Sequence, residues 1–476
     1  MLQNDWDRKL NNATVAVLGL GVSNRPLIDF LLSRGAHVTA RDRKTREALG
    51  AFADELEARG VRLITGEGYL DDLDEEIIFR TPGIRPDLPP LAEAVARGAI
   101  LTSEMELFLE LTPALTVAVT GSDGKTTTTT LVGEMLKAEY GKDGERHVFV
   151  GGNIGTPLLP TVDRMTEHDI AVLELSSFQL MSMTRSPAIA AITNVTKNHM
   201  DWHRESMEEY VGAKTNIFRH APNRCVVLNA DCEDTRTLAR YASGQVRYFS
   251  SKKTRSDFAG LLREGDLGFY LRDGQIVCFD GTEESAVLSA SDILLPGGHN
   301  VGNYMTAIAL THGMVKTENI KRVATTFGGV EHRLERIRVH RGVIYYNSSI
   351  DSTPSRTAAA LSALFPKRPI VICGGYDKKI PFEPLAEALC TYAKAVVLTG
   401  ATAEKIRTCL ARTDRVRSGD LPVLGASDFE AAVRLAAEIA EEGDTVLLSP
   451  ACASFDAFEN FMERGDAFRR IVQSLA

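Results

Sequence analysis

Apolar residues in this chain recur in two rhythms. Short unbroken runs, such as TVAVL (14–18), VAVT (117–120), IVIC (370–373) and TVLL (445–448), stop at glycine or polar turns. Runs that are apolar on both faces predict strands in a sheet covered on both sides. Between them, three- and four-residue spacing, as in FEAAVRLAAEI (429–439), predicts amphipathic helices. Three segments open with such a strand, then a loop and a helix. The first predicts a strand at 14–18, a helix at 25–33 and a second strand at 37–40, a βαβ unit. The second begins at LTVAVTGSDGKTTTTTLVGEML (115–136). The third holds the strands of RPIVICGGYD, KAVVLTG and DTVLLSPA. LGFYLRDGQIVCF (267–279) alternates around Asp273–Gly274, a hairpin signal inside the middle segment. Divisions at 101–106 and 327–330 give domains 1–103, 104–329 and 330–476.

Composition narrows the class. With 476 residues, three α/β domains are expected at roughly 150 residues each. A net charge of -9 leaves no broad basic surface for nucleic acid or anionic lipid. The polar start MLQNDWDRKL has no signal core, and no apolar stretch approaches the ~20 residues of a membrane span. Seven cysteines without a CxxC pair fit a reducing cytoplasm.

The chemistry concentrates at strand ends. In VAVTGSDGKTT (117–127), Gly121, Ser122, Asp123 and Gly124 let backbone N–H groups curl around phosphates at a helix start. Lys125 would neutralise phosphate charge, and the Thr126 hydroxyl would hold Mg²⁺, with Thr127 next in the helix. Val119 stands where the eight-residue Walker loop has glycine, so the form is a shortened GxxGKT. Glu174 ends the apolar strand of DIAVLELSSFQL, where nucleotide-binding sheets place an acid that reaches Mg²⁺. His199 and His203 lie four apart, but Met200 breaks a zinc-hydrolase HExxH pattern. His199 is a metal or substrate ligand or a hydrogen-bonded loop histidine; His203 reads as structural. Asn300 and Asn303 share one face of a starting helix, and Arg333 in EHRLE offers a phosphate clamp. SPACASFDAFENFMERGDAF follows another buried strand, with Phe455, Phe458 and Phe461 at three-residue spacing and core packing expected for Phe458. GLGVSN resembles the dinucleotide fingerprint, with Asn24 in the third glycine position weakening helix–strand packing there. On these residues a nucleotide-hydrolysing switch and a nicotinamide dehydrogenase stay open beside a ligase.

TGSDGKTT, ELSSFQL, NVTKNHMD, HNVGN, HRLE and LSPACASFDAFENFMERG together resemble the Mur ligase family, in order and across essentially the whole chain. The combination of GGNIGTPL (151–158), ELSSFQL and SPACASFD resembles the family's D-glutamate-adding branch, which implies UDP-N-acetylmuramoyl-L-alanine and D-glutamate as partners. The resemblance implies a Rossmann-like UDP-sugar domain, a P-loop ATP domain and a Rossmann-like amino-acid domain. It also implies that Lys125, Thr126 and Glu174 serve ATP and a first Mg²⁺, while His199 and a carbamylated Lys214 hold a second Mg²⁺. Lys125, His199 and Lys214 would then be the catalytic residues. Asn300, Asn303 and Arg333 would contact ATP, and Asn153 the muropeptide. Val22, Ser23, Asp42, Arg43 and Gly83 would line the uridine site; Ser352, Lys378, Ser454, Phe455 and Phe461 would surround D-glutamate. Asn198 and Ser348 stand where many members of that family carry Asp, and Ile350 where some carry Lys. A monomer is expected. The implied reaction forms an acyl phosphate that an amine then attacks, with closure of the third domain excluding water.

Overall fold

The computed structural model describes residues 2–141, 144, 146–220 and 223–475. The unbroken apolar runs become buried strands of three sheets. In the first, β1 (Thr14–Leu18), β2 (His37–Asp42), β3 (Arg62–Thr65), β4 (Ile77–Arg80) and β5 (Ile100–Thr102) run parallel in the order β3-β2-β1-β4-β5. The helix expected at 25–33 begins one residue earlier, as Asn24–Ser33, and β2 continues to Asp42. Asn24 is buried, and its Nδ2 donates to the carbonyls of Leu18 (3.1 Å) and Gly19 (2.8 Å). The weakening expected at Asn24 is therefore offset: its amide ties the helix start to the strand end.

The second sheet holds β6 (Leu115–Thr120), β7 (Val148–Gly152), β8 (Ile170–Glu174), β9 (Ile189–Ile192), β10 (Cys225–Asn229), β11 (Gln245–Ser250), β12 (Leu267–Arg272), β13 (Gln275–Phe279) and β14 (Glu284–Ser289). Their order is β14-β13-β12-β11-β10-β9-β6-β8-β7, parallel from β7 to β12 and antiparallel beyond. The expected hairpin forms because Asp273 (φ 49°) and Gly274 (φ 74°) both take the left-handed conformation that a two-residue turn needs. In the third sheet β15 (Glu335–His340), β16 (Val343–Asn347), β17 (Ile370–Cys373), β18 (Ala395–Leu398), β19 (Val423–Gly425) and β20 (Thr445–Leu448) lie in the order β15-β16-β20-β17-β18-β19. Only β15 is antiparallel to its neighbour among these described strands.

The chain divides into two compact units. One holds the residues up to Asp292 together with His299–Val323, and so both of the first two sheets; the other holds Ile293–Gly298 and the chain from Ala324 onward. Among the described residues, no helix is long and apolar enough to cross a membrane.

Candidate active site

Strand β6 lies between β9 and β8, with Val117, Ala118 and Val119 fully buried. The chain leaves it through Gly121–Gly124 into the helix Lys125–Tyr140. Gly121 (φ +151°) has no room for a side chain, since a Cβ would lie 1.9 Å from Thr193 Oγ1; a Cβ at Gly124 (φ +76°) would lie 2.4 Å from Asn303 Oδ1. Both glycines are thus required by close approach as well as backbone conformation. The Lys125 ammonium donates to the carbonyls of Gly121 (3.0 Å) and Ser122 (2.9 Å), folding back over its own loop. Thr126 and Thr127 are half-buried at the helix start, and Asp123 is exposed.

The loop after β9 clamps this turn. Asn194 accepts from the amides of Ser122 (3.0 Å, through its carbonyl) and Asp123 (2.9 Å, through Oδ1). Thr193 Oγ1 donates to the Asp123 carbonyl (2.6 Å), Ser122 Oγ donates to the Thr196 carbonyl (2.9 Å), and Ser122 Oγ also meets the Tyr210 hydroxyl at 2.9 Å. Sequence reasoning missed Thr193, Asn194, Thr196 and Tyr210; the signal was a polar Thr-Asn-Val-Thr directly after a buried strand.

The adjoining strand ends supply the other groups. Glu174 ends β8 fully buried; Asn153 Nδ2 donates to its Oε1 (2.8 Å), while its Oε2 has no partner. An orphaned buried carboxylate oxygen fits a cation ligand. Asn303 Nδ2 donates to Asn300 Oδ1 (2.9 Å), and both amides lie buried on the helix Gly298–Thr311. His199 (φ 53°) is exposed at the surface, its ring 5.0 Å from Phe178; partial desolvation of that ring, then Lys125 and Lys214, lower its pKa and favour the neutral, ligating imidazole. His203 is buried and structural, with Nε2 3.0 Å from Ser177 Oγ and Nδ1 3.4 Å from Glu209. Lys214, on the helix Met207–Arg219, is 1% exposed and donates to the Gly121 carbonyl (2.8 Å). Burial and then Lys125 push its pKa down to about 7, against the pull of Asp123. Among the described residues, no group of three or more His, Cys, Asp or Glu is arranged to hold a metal ion.

In the first sheet the expected uridine residues leave the ends of three neighbouring strands: Val22 and Ser23 after β1, Asp42 and Arg43 at β2, and Gly83 after β4. Val22, Arg43 and Gly83 are exposed. Asp42 is committed to the backbone, accepting from the amides of Leu20 (2.7 Å) and Lys44 (2.8 Å).

The second unit repeats this logic. Ser352, Lys378 and Ser454 follow β16, β17 and β20, which are neighbours in the order β16-β20-β17. Lys378 Nζ donates to Ser352 Oγ (3.1 Å), and the Tyr376 amide donates to the Ala453 carbonyl (2.9 Å). Phe455 is exposed, edge-on to Tyr376 at 5.9 Å, and Phe461 opens the helix Phe461–Ser474, 6.0 Å from the His332 ring. Phe458 departs from the core packing expected of it: it is half-buried, edge-on to the Phe429 ring at 5.1 Å, because its stretch forms turns before that helix starts. Arg333 also belongs to this unit, between His332 (φ 61°) and Leu334 (φ 42°). Sequence reasoning missed Arg464, a 2%-exposed guanidinium that donates to Ser349 Oγ (3.0 Å) and to the carbonyls of Ser349 (2.8 Å), Cys452 (3.1 Å) and Ala453 (3.1 Å). Its signal was an arginine four residues into a helix whose start was already suspect as a site.

The Mur ligase middle domain matches residues 119–311, and the Mur ligase glutamate ligase domain matches 332–452. The chain is similar to the UDP-N-acetylmuramoylalanine–D-glutamate ligase of Acetivibrio thermocellus, 47% identical over 99% of this chain and 98% of that one. The ligase of the same name from Clostridium botulinum (strain Okra) is 48% identical over 97% and 96%. Among solved structures, the Thermotoga maritima UDP-N-acetylmuramate-alanine ligase superposes with a TM-score of 0.56 at 20% identity, over 97% of this chain and 100% of that one. This last likeness concerns the fold alone.

Proposed function

The chain belongs to the Mur ligase family, and from that premise we propose that it joins D-glutamate to UDP-N-acetylmuramoyl-L-alanine at the expense of ATP, in peptidoglycan precursor synthesis. The observation that carries the reading is whole-length identity near one half to D-glutamate ligases, together with a phosphate loop on the strand next to the one that ends in an orphaned acid.

The chemistry follows from the parts. A carboxylate is a poor electrophile, so the substrate's terminal carboxylate oxygen attacks the γ-phosphorus of ATP and ADP leaves. The Lys125 ammonium and the backbone amides at the start of the helix Lys125–Tyr140 offset the phosphate charge. The amine of D-glutamate then attacks the acyl carbon; the tetrahedral intermediate expels phosphate and the amine loses its proton, leaving the amide. Thr126, Glu174 and His199 suit Mg²⁺, which would supply charge neutralisation at the transferring phosphoryl group. An ammonium at Lys214 would not suit it. With its pKa near 7 that amine is nucleophilic at neutral pH, and carbamylation by carbon dioxide would turn it into a hard oxygen ligand. Lys378, Ser352 and Ser454 offer donors for the second carboxylate of the acceptor, with Phe455 and Phe461 at its sides. Val22, Ser23, Arg43 and Gly83 would meet the uridine end, with Asp42 bracing the loops after β1 and β2, and Asn153 would meet the muropeptide. Asn300 and Asn303 would add ATP contacts in the first unit, and Arg333 is the second unit's own candidate phosphate clamp. We place the protein in the cytoplasm, a compartment that suits its seven free cysteines and nucleotide substrates.

The test is ADP release from UDP-N-acetylmuramoyl-L-alanine offered with D-glutamate, L-glutamate, L-lysine or meso-diaminopimelate. Release with D-glutamate alone is expected; equal use of another acceptor refutes the substrate assignment.

A further inference from the structure

The loop between β4 and the helix Pro89–Ala96 carries Gly83, and an arginine on each side of that glycine reaches the helices and loops that follow β8 and β9 of the second sheet. Arg80 is 1% exposed. Its Nη1 holds the loop itself through the Ile84 carbonyl (2.9 Å). Its Nη2 donates to the Phe178 carbonyl (2.9 Å) and to Ser182 Oγ (2.6 Å), and its Nε donates to the same hydroxyl (3.0 Å). Phe178 lies four residues past Glu174, and its ring touches both His199 (5.0 Å) and Trp202 (4.4 Å). Arg85 grips the other end. It donates to the Trp202 carbonyl and forks onto Glu209, Nη1 to Oε1 (2.9 Å) and Nη2 to Oε2 (3.0 Å). A second fork binds Asp87 at 2.9 and 2.8 Å, and the guanidinium sits 5.0 Å from the Trp202 ring. Glu209 stands on the helix Met207–Arg219, which also carries Lys214.

One short loop is therefore fastened at two points, to the segment after Glu174 and to the segment that runs from His199 into the Lys214 helix. Bidentate, largely buried guanidinium contacts fix position and angle together, which a single flexible contact does not. We propose that Arg80 and Arg85 are positioning residues: they carry the binding of the substrate's nucleotide end at Gly83 to the placement of His199 and Lys214 at its reacting end. Nucleotide binding far from the reacting carboxylate then raises turnover as well as affinity, since remote binding energy is expressed as orientation at the reacting centre. The proposal rests on the reading of Gly83, His199 and Lys214 given above.

The experiment compares kcat for the full substrate with kcat for N-acetylmuramoyl-L-alanine 1-phosphate, the same substrate cut at the pyrophosphate. It is run on the intact enzyme and on Arg85→Ala and Glu209→Gln, the second conserving volume and leaving Arg85 in place. In the intact enzyme the full substrate should turn over at least about tenfold faster, a ratio of the size that lost orientation produces. In both variants that ratio should fall to about two, mostly by slowing of the full substrate, while KM for ATP stays unchanged. Variants that slow both substrates alike and keep the ratio overturn the proposal, as does a ratio near one in the intact enzyme. An intact enzyme that turns over neither substrate overturns the ligase reading, and the proposal with it.

Discussion

The phosphate loop of the first unit and the strand-end cluster of the second are built in opposite ways. The phosphate loop is contiguous: Gly121 to Thr127 form one turn and one helix start, braced by the loop after β9 and by Tyr210 and Lys214 of one helix. The cluster takes Ser352, Lys378 and Ser454 from three separate strand ends, and the loops after two of those strands are tied by one buried guanidinium, that of Arg464. A contiguous site can lose a functional side chain and keep its shape. A site assembled from distant segments depends on the residue that joins them.

The largest effect should show the first half of that contrast. Lys125→Ala should reduce turnover by about three orders of magnitude, or ~4 kcal/mol of barrier, because charge stabilisation at the phosphates is lost. Its melting temperature should stay within a few degrees, since Lys125 is half-buried and donates to carbonyls of its own loop rather than filling the apolar core. A variant keeping more than about a tenth of the rate would break the assignment.

Arg464→Met should show the second half. It removes a buried cation and leaves the carbonyls of Ser349, Cys452 and Ala453 without that donor. Breaking such a buried hub costs about 3–5 kcal/mol, so the second unit should unfold at lower denaturant and the acceptor KM should rise together. Calorimetry and acceptor titration check this; a variant that weakens acceptor binding with no loss of stability would erase the contrast.

Lys378→Ala sharpens it further. Lys378 is exposed and bonds only Ser352 Oγ among the contacts resolved. Its loss should raise the D-glutamate KM by about tenfold, the worth of one charge-assisted hydrogen bond, and leave stability and the ATP KM unchanged. If Lys379→Ala has the larger effect, the acceptor's carboxylate is held by the neighbouring lysine.

The same contrast governs what the sequence made legible. The phosphate loop, the βαβ unit and the Asp273–Gly274 hairpin could be read from local spacing, because neighbours in sequence are neighbours in space there. Arg464 and the Thr193–Thr196 clamp could not, because their partners lie far away in the chain; Ser349, for example, is separated from Arg464 by 115 residues. Strands β15, β16 and β19 escaped for another reason. β15 and β19 are short or half-exposed at the sheet edges, and β16, though buried beside β20, reads as a run broken by two tyrosines rather than as the aliphatic run that marked β17 and β20.

The smallest predicted effect separates the two units by the sign of their response to pH. Lys214 in the first unit has its pKa lowered from 10.5 to about 7, chiefly by burial and next by Lys125. A depressed amine contributes stability that is present above its unfolded value and lost as pH falls through about 7. Asp351 in the second unit has its pKa raised from 3.8 to about 6, chiefly by burial, even though Ser449 Oγ donates to its Oδ2 at 2.8 Å. A raised carboxyl contributes stability that is present below 3.8 and lost as pH rises through about 6. Each slope can reach at most about 1.4 kcal/mol per pH unit, one proton's worth. Hydrogen exchange read peptide by peptide, corrected for intrinsic rates and run free of carbon dioxide so that Lys214 stays an amine, resolves the two units. Protection in the first unit should rise between pH 7.5 and 9.5, and protection in the second should fall between pH 4 and 6, the windows set by those two pKa shifts. Lys214→Met should flatten the first slope alone and Asp351→Asn the second alone. If both units instead gain or lose protection together across both windows, these two buried groups do not set the pH response, and the units share one electrostatic origin of stability.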